Sequence, residues 1–159
     1  MATKKEKSLG MNSINARIIM LVVICILLFI GLNAAYIIPQ SKNAVQATTE
    51  KNMQDIAMFS GMLVEDMIEE NGAENVNYDM LKTVLEGKGL AGIDSSYVYV
   101  VNEEGTFLYH KKEDKIGTTV FNEQINNLLT KIPTGSYNAT GTFHYTDENG
   151  VKKYTSYQV

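Results

Sequence analysis

Residues 18–38 run for 21 positions without a charge, and few folded states accept such a run. At about 1.5 Å of rise per residue, a helix over it measures roughly 30 Å, the thickness of a bilayer's hydrocarbon core. Asn33 is its one strongly polar side chain, and Tyr36 stands where an interfacial aromatic belongs. Ahead of it, Lys4, Lys5, Lys7 and Arg17 outweigh Glu6 for a net charge of +3. That flank predicts a cytoplasmic N-terminus over residues 1–17, a transmembrane helix over 18–38, and residues 39–159 outside the membrane.

Three rival uses of an apolar N-terminal run fit less well. A cleaved signal peptide wants a core of about 7–15 residues and small residues before the cut. This run is longer, and Asn33-Ala34-Ala35 is a poor site. A lipoprotein signal needs small residues before its cysteine, whereas Val22-Val23-Ile24 precede Cys25. A pilin-like surface protein would be processed at Gly10-Met11 and carry Glu five residues further in, where Asn15 stands.

The rest of the chain carries a net −7. An acidic body argues against nucleic acid as a partner, because phosphate binding needs a basic footprint. A single cysteine excludes an internal disulfide and a cysteine-based zinc cluster. All eight methionines lie at or before Met80, and seven of nine tyrosines lie after residue 90. This asymmetry predicts a helical first half and a sheet-rich second half.

Residues 41–71 hold no proline and one glycine. Met53, Ile56, Ala57, Ser60, Leu63, Val64, Met67 and Ile68 recur at three-four spacing, one stripe of a helix. Gln54, Asp55, Glu65, Glu69 and Glu70 fall off it, and Asn71-Gly72 is a C-terminal stop. Such a helix would reach about 45 Å. It would serve as a core-facing element, as a lever between a ligand domain and the membrane, or as a surface for a second copy of the chain. A short helix is expected over 78–86, with Leu81, Val84 and Leu85 on one side.

Residues 97–101 are a strand by propensity, residues 102–105 a turn, and residues 106–110 the return strand. Two-residue alternation places Val98, Val100, Phe107 and Tyr109 on a core face. The opposite face then holds Tyr97, Tyr99, Leu108 and His110, an apolar floor with polar tips suited to a small molecule. A helix over 122–132 follows, capped by Asn122 and stopped by Pro133, with Ile125, Leu128, Leu129 and Ile132 on one side. A last hairpin over 141–157 turns at Asn149-Gly150. The expected class is α+β, an antiparallel sheet with helices on its faces.

Neither Glu69-Glu70 nor Glu103-Glu104 makes an acid–base pair, since neighbours in a helix or turn point apart. His144 reads as an exposed cross-strand residue. No glycine-rich phosphate loop and no set of nucleophile, base and acid can be named, so the chain is not expected to be an enzyme. No cofactor and no metal site are expected. The candidate ligand-binding residues are Tyr97, Tyr99 and His110.

Residues 92–101, the run Glu104-Gly105-Thr106-Phe107-Leu108-Tyr109-His110, and Lys115-Ile116-Gly117 resemble the extracellular Cache domain of bacterial methyl-accepting chemotaxis proteins. Gly150-Val151-Lys152-Lys153-Tyr154 with Tyr157 resembles a later strand of that domain, and Ser13-Ile14-Asn15-Ala16-Arg17 the entry into the receptors' first membrane helix. Where the family often has Pro after the histidine, Lys111-Lys112 follow here. The resemblance implies a PAS-like sheet behind a long helix, in the cytoplasmic membrane of a bacterium with residues 39–159 extracellular or periplasmic. It further implies a small-molecule ligand, a homodimer, and signalling to a cytoplasmic chemotaxis kinase complex through regions beyond Val159. The Cache-like domain would thus be incomplete, without its final strand. The same domain heads histidine kinases and cyclic-dinucleotide enzymes, whose sensor region is the alternative reading.

Overall fold

The computed structural model describes residues 14–135, 138–147 and 149–159. The basic residues Lys4, Lys5 and Lys7, the Gly10-Met11 pair, Ser136, Tyr137 and Glu148 lie outside them. The chain divides into two compact units, Met1–Gln46 and Ala47–Val159.

Helix α1 is Ile14–Asn71, with Pro39 inside it. In the first unit it contains an 18-residue window of mean hydropathy 2.9, none of it buried. By length and composition this stretch can cross a membrane. From Ile18 to Ile38 the large apolar side chains are exposed, as a lipid-facing surface requires. The apolar helix continues into the long helix, as expected, and Pro39 does not break it, because a single missing N–H costs a helix one bond, not its continuation.

Within the second unit, residues 47–71 of α1 bury the expected stripe. Ser60 is buried and Met53, Ile56, Ala57, Leu63, Val64 and Met67 are half-buried, while Asp55, Glu65, Glu69 and Glu70 are exposed. Ile68 departs from the stripe and is exposed. Helix α2, Tyr78–Leu85, starts where the Asn77 side chain accepts a hydrogen bond from the Met80 amide. Its Leu81 and Leu85 are each 1% exposed and form the core with Tyr109, against Val64 and Met67 of α1 and Val98 and Val100.

The strands are shorter than their propensities suggest. β1 is Val100–Val101 and β2 is Phe107–Tyr109, paired antiparallel. The register slips within the pair: Val100 faces Tyr109, but Val101 faces Phe107. Leu108 is therefore the extra residue of a β-bulge, and it is 40% exposed. The turn before it is held by Asn102, whose Oδ1 accepts from the Thr106 amide, and by Gly105 at φ 79°. The Phe107 amide donates to the Thr118 carbonyl rather than to β1, and the Gly117 amide donates to the Phe107 carbonyl. Residues 117–120 thus close the outer edge of β2.

Helix α3 is Glu123–Leu129, with the Asn122 side chain accepting from the Ile125 amide. It ends short of the expected Ile132. Pro133 excludes the carbonyl four residues back, which is that of Leu129, so the chain passes into a 3₁₀ turn, Ile132–Thr134. The second hairpin pairs β3, Thr140–Thr146, with β4, Lys152–Gln158, in full register. Asp147 anchors its turn, its Oδ1 accepting from the amides of Asn149 and Val151, and Gly150 takes φ 76°. Tyr157 lies across from Gly141 and covers the space a side chain there would fill. This hairpin lies on α1 through a Gln54–Thr142 hydrogen bond of 3.1 Å and through Gln158, seated at Gly61.

The class is mixed α+β. Among the described residues the strands form two separate two-stranded sheets rather than the single sheet expected.

Candidate functional site

The bulge at Leu108 decides which side chains meet. Tyr109 stays on the core side with Val98 and Val100, and its ring stacks on Tyr78 at 6.0 Å. Phe107, expected beside them, is turned to the opposite face. There it meets Tyr99 at 5.6 Å and His110 at 5.1 Å between ring centroids. Leu108, expected on the opposite face, is the residue left out of pairing. Correcting the expected faces therefore exchanges Phe107 for Leu108 and leaves the other residues in place.

Tyr97, Tyr99 and His110 do come together. Ring centroids of Tyr97 and His110 are 5.0 Å apart, of Tyr99 and His110 6.1 Å, and of Tyr97 and Tyr99 6.3 Å. The Tyr97–His110 contact is edge-on, an arrangement that suits aromatic rings, whose positive rims meet negative faces, and the other two are tilted. His110 is 7% exposed. Its Nδ1 accepts from the Lys112 amide at 2.9 Å, which is the neutral tautomer with the proton on Nε2. Burial, more than any neighbour, lowers the imidazole pKa; the backbone contact with Lys112 opposes it, the charges of Lys112 and Lys115 add to it, and Asp114 opposes it. Nε2 has no hydrogen-bond partner among the described residues and is a donor available to another molecule.

Tyr99 points toward the second hairpin. Burial raises its hydroxyl pKa far above the ordinary value, Tyr145 adds to the rise, and a hydrogen bond with Thr155 opposes it. Phe143, Tyr145 and Tyr157 share a face of that hairpin, with Phe143 6.3 Å from Tyr145 and 6.2 Å from Tyr157. Tyr97 is 42% exposed and its hydroxyl pKa is raised by partial burial.

Tyr97 and His110 also border a cleft of about 440 Å³. Its other walls are the end of α2, the loop from Gly87 to Val98, and Lys111 and Glu113. Tyr99 does not line it. At one end the Glu113 Oε1 accepts from Lys82 Nζ at 2.9 Å and from the Tyr78 hydroxyl at 3.1 Å. Those two bonds hold the Glu113 carboxyl below its ordinary pKa, and the same contact raises that of Lys82. At the other end Lys111 Nζ donates to the Asp94 carbonyl at 2.7 Å. Tyr78, Lys82 and Glu113 do not stand out in the sequence, because the helix and the turn that gather them are far apart along the chain. His144 is exposed and pairs across the strands with Tyr154, as expected.

The cleft combines aromatic walls, two ammonium groups and one unpartnered imidazole N–H. That set can orient a small polar molecule. Among the described residues no group of three or more His, Cys, Asp or Glu stands close enough to hold a metal ion. Comparison with known families, curated proteins and solved structures gives no match to this chain.

Proposed function

We propose that this chain is the membrane-anchored, ligand-sensing region of a bacterial chemotaxis-type receptor, with a Cache-like domain in its second unit. The observation that carries the reading is the convergence of Tyr97, Tyr99 and His110 on one face of a bulged hairpin, with His110 Nε2 left without a partner. Tyrosine and histidine rings supply contact area at low entropic cost, and their polar atoms supply direction. The long apolar stretch of α1 supports a membrane anchor, with the N-terminus inside and the second unit outside. A ligand of this kind signals only by binding two states of the domain unequally. The element to move is the part of α1 from residue 47 onward, against which the core and the second hairpin pack. A homodimer and a cytoplasmic kinase complex complete the reading.

Calorimetry on the full chain in lipid nanodiscs, titrated with amino acids, short carboxylic acids and amines in turn, tests it. One class is expected to bind. Tyr99→Ala and His110→Ala are each expected to weaken it by about 1–3 kcal/mol, the cost of leaving a buried polar partner unsatisfied. Binding that survives both substitutions in a folded protein places the site elsewhere.

A further inference from the structure

The apolar stripe of α1 is interrupted at its centre. Ser60 is 3% exposed, and its Oγ has no hydrogen-bond partner among the described residues. A serine inside a helix can close on the carbonyl four residues back, here that of Ile56, and that bond bends the helix. In this structure it is not made, so the hydroxyl is buried at a cost that alanine would not carry. Gly61 follows, the one glycine of residues 47–71. A serine beside a glycine is one of the few settings in which helices kink sharply.

The packing around α1 changes at the same place. On one side of it, Gln54 donates to Thr142 of β3, and Gln158 of β4 sits on Gly61, where a Cβ would stand 2.6 Å from its Cγ. On the other side, Val64 and Met67 pack on Leu81, Leu85 and Tyr109. Residues 54–61 thus hold the second hairpin, and residues 64–67 hold the core of α2 and the first hairpin. The two hairpins share no strand pairing, and the Tyr99 side chain bonds that of Thr155 between them. A groove of about 340 Å³ separates Asp55, Ile56, Phe59 and Ser60 from the turn of residues 87–89. This arm of α1 is therefore not clamped to the turn beside it.

We propose that α1 carries a hinge at Ser60–Gly61, with Ser60 as the catch of its bent state, and that β4 links this hinge to the aromatic cluster. In the bent state the Ser60 hydroxyl donates to the Ile56 carbonyl and is satisfied. In the state described above, the Gln54–Thr142 bond and the seat of Gln158 on Gly61 hold the helix instead. A carbonyl that accepts a second bond lengthens its own helical bond, so the helix becomes convex on the Ser60 side. Residues 47–59 then swing away from the turn of residues 87–89. Each state has a contact the other lacks, which is what lets a binding event favour one of them. Thr155 and Gln158 lie on the same strand, so a molecule that breaks the Tyr99–Thr155 bond loosens the grip on Gly61. The bend stands on the helix alone; its control by a ligand rests on the receptor reading.

The test uses the full chain in lipid nanodiscs, with Cys25→Ala and nitroxide labels on Lys51→Cys and Glu86→Cys, both exposed positions. Double electron–electron resonance reads the distance between them. About 13 Å of helix separates Lys51 from Ser60, and a swing of about 20–25° moves the first label by about 5 Å. Two distance components are expected, the longer one being the bent state. Ser60→Ala is expected to cut the longer component about fivefold and to raise the melting temperature, a combination that a merely structural serine would not produce. Tyr99→Phe is expected to enlarge the longer component about threefold. A single component in the native protein, or a longer one that Ser60→Ala leaves unchanged, would overturn the hinge whatever the aromatic cluster binds. A hinge that answers to Ser60→Ala but not to Tyr99→Phe would overturn its link through β4. Failure of the receptor reading would show separately, as the absence of any ligand in the calorimetric titration.

Discussion

His110 is the residue whose chemistry the fold alters most plainly. Its pKa is lowered by burial, so around the ordinary imidazole value of about 6.5 the folded chain binds fewer protons than the unfolded one. Stability then rises with pH across that window: the contribution is fully present above the unfolded value and is lost as pH falls through it toward the folded one. Circular dichroism melts are expected to show a midpoint that drops between about pH 7 and about pH 5, with His110→Gln flattening the slope. A native curve that is flat there would falsify the assignment. Glu113 and Asp147 have lowered carboxyl values, so whatever they contribute is lost at more acid pH. Gly105 supplies a second residue-scale prediction. At φ 79°, and with a Cβ that would lie 3.2 Å from Leu129 and 3.3 Å from Val120, Gly105→Ala should cost more than about 1 kcal/mol by denaturant melts. The grouping of Tyr97, Tyr99 and His110 was legible in the sequence because side chains alternate along a strand. Phe107 was not, since its place depends on a bulge accompanied by its hydrogen bonds with Thr118 and Gly117. Nor was the buried Ser60 hydroxyl, which has no hydrogen-bond partner among the described residues and whose residue type fits a helical stripe whether or not it finds one.

Among the elements, the helices were the more legible. Their signals are local: the three-four stripe of α1, the Asn77 and Asn122 caps, the stop imposed by Pro133. The strand pairs were readable only as hairpins, because register and sheet membership depend on partners distant in sequence. A two-stranded sheet is marginal alone in water, so each hairpin here depends on a helix. Leu81→Ala should accordingly cost about 2–5 kcal/mol, since Leu81 is the floor on which Tyr109 rests. On α1, Leu63→Asp should cost about 2–3 kcal/mol, while the exposed Lys51→Asp stays near neutral. Equal shifts of melting temperature in those two variants would show that α1 turns a different face to the core.

At the scale of the whole molecule, the exposed apolar stretch of residues 18–38 is long enough to cross a membrane, and in the proposed reading the charge balance on either side sets its direction. An impermeant maleimide is expected to label Glu123→Cys in intact cells, because Glu123 is exposed on the second unit. Labelling only after lysis would reverse the topology. The native Cys25, inside the apolar stretch, should stay unlabelled in both cases. The cluster around His110 has an optical consequence. The chain contains no tryptophan, so its near-ultraviolet emission comes from tyrosine alone. Tyr97 and Tyr99 stand 6.3 Å apart, close enough for excitation to hop between them before emission and scramble its polarisation. Anything that parts or quenches that pair changes the anisotropy of the unlabelled protein, and the chain carries its own dye.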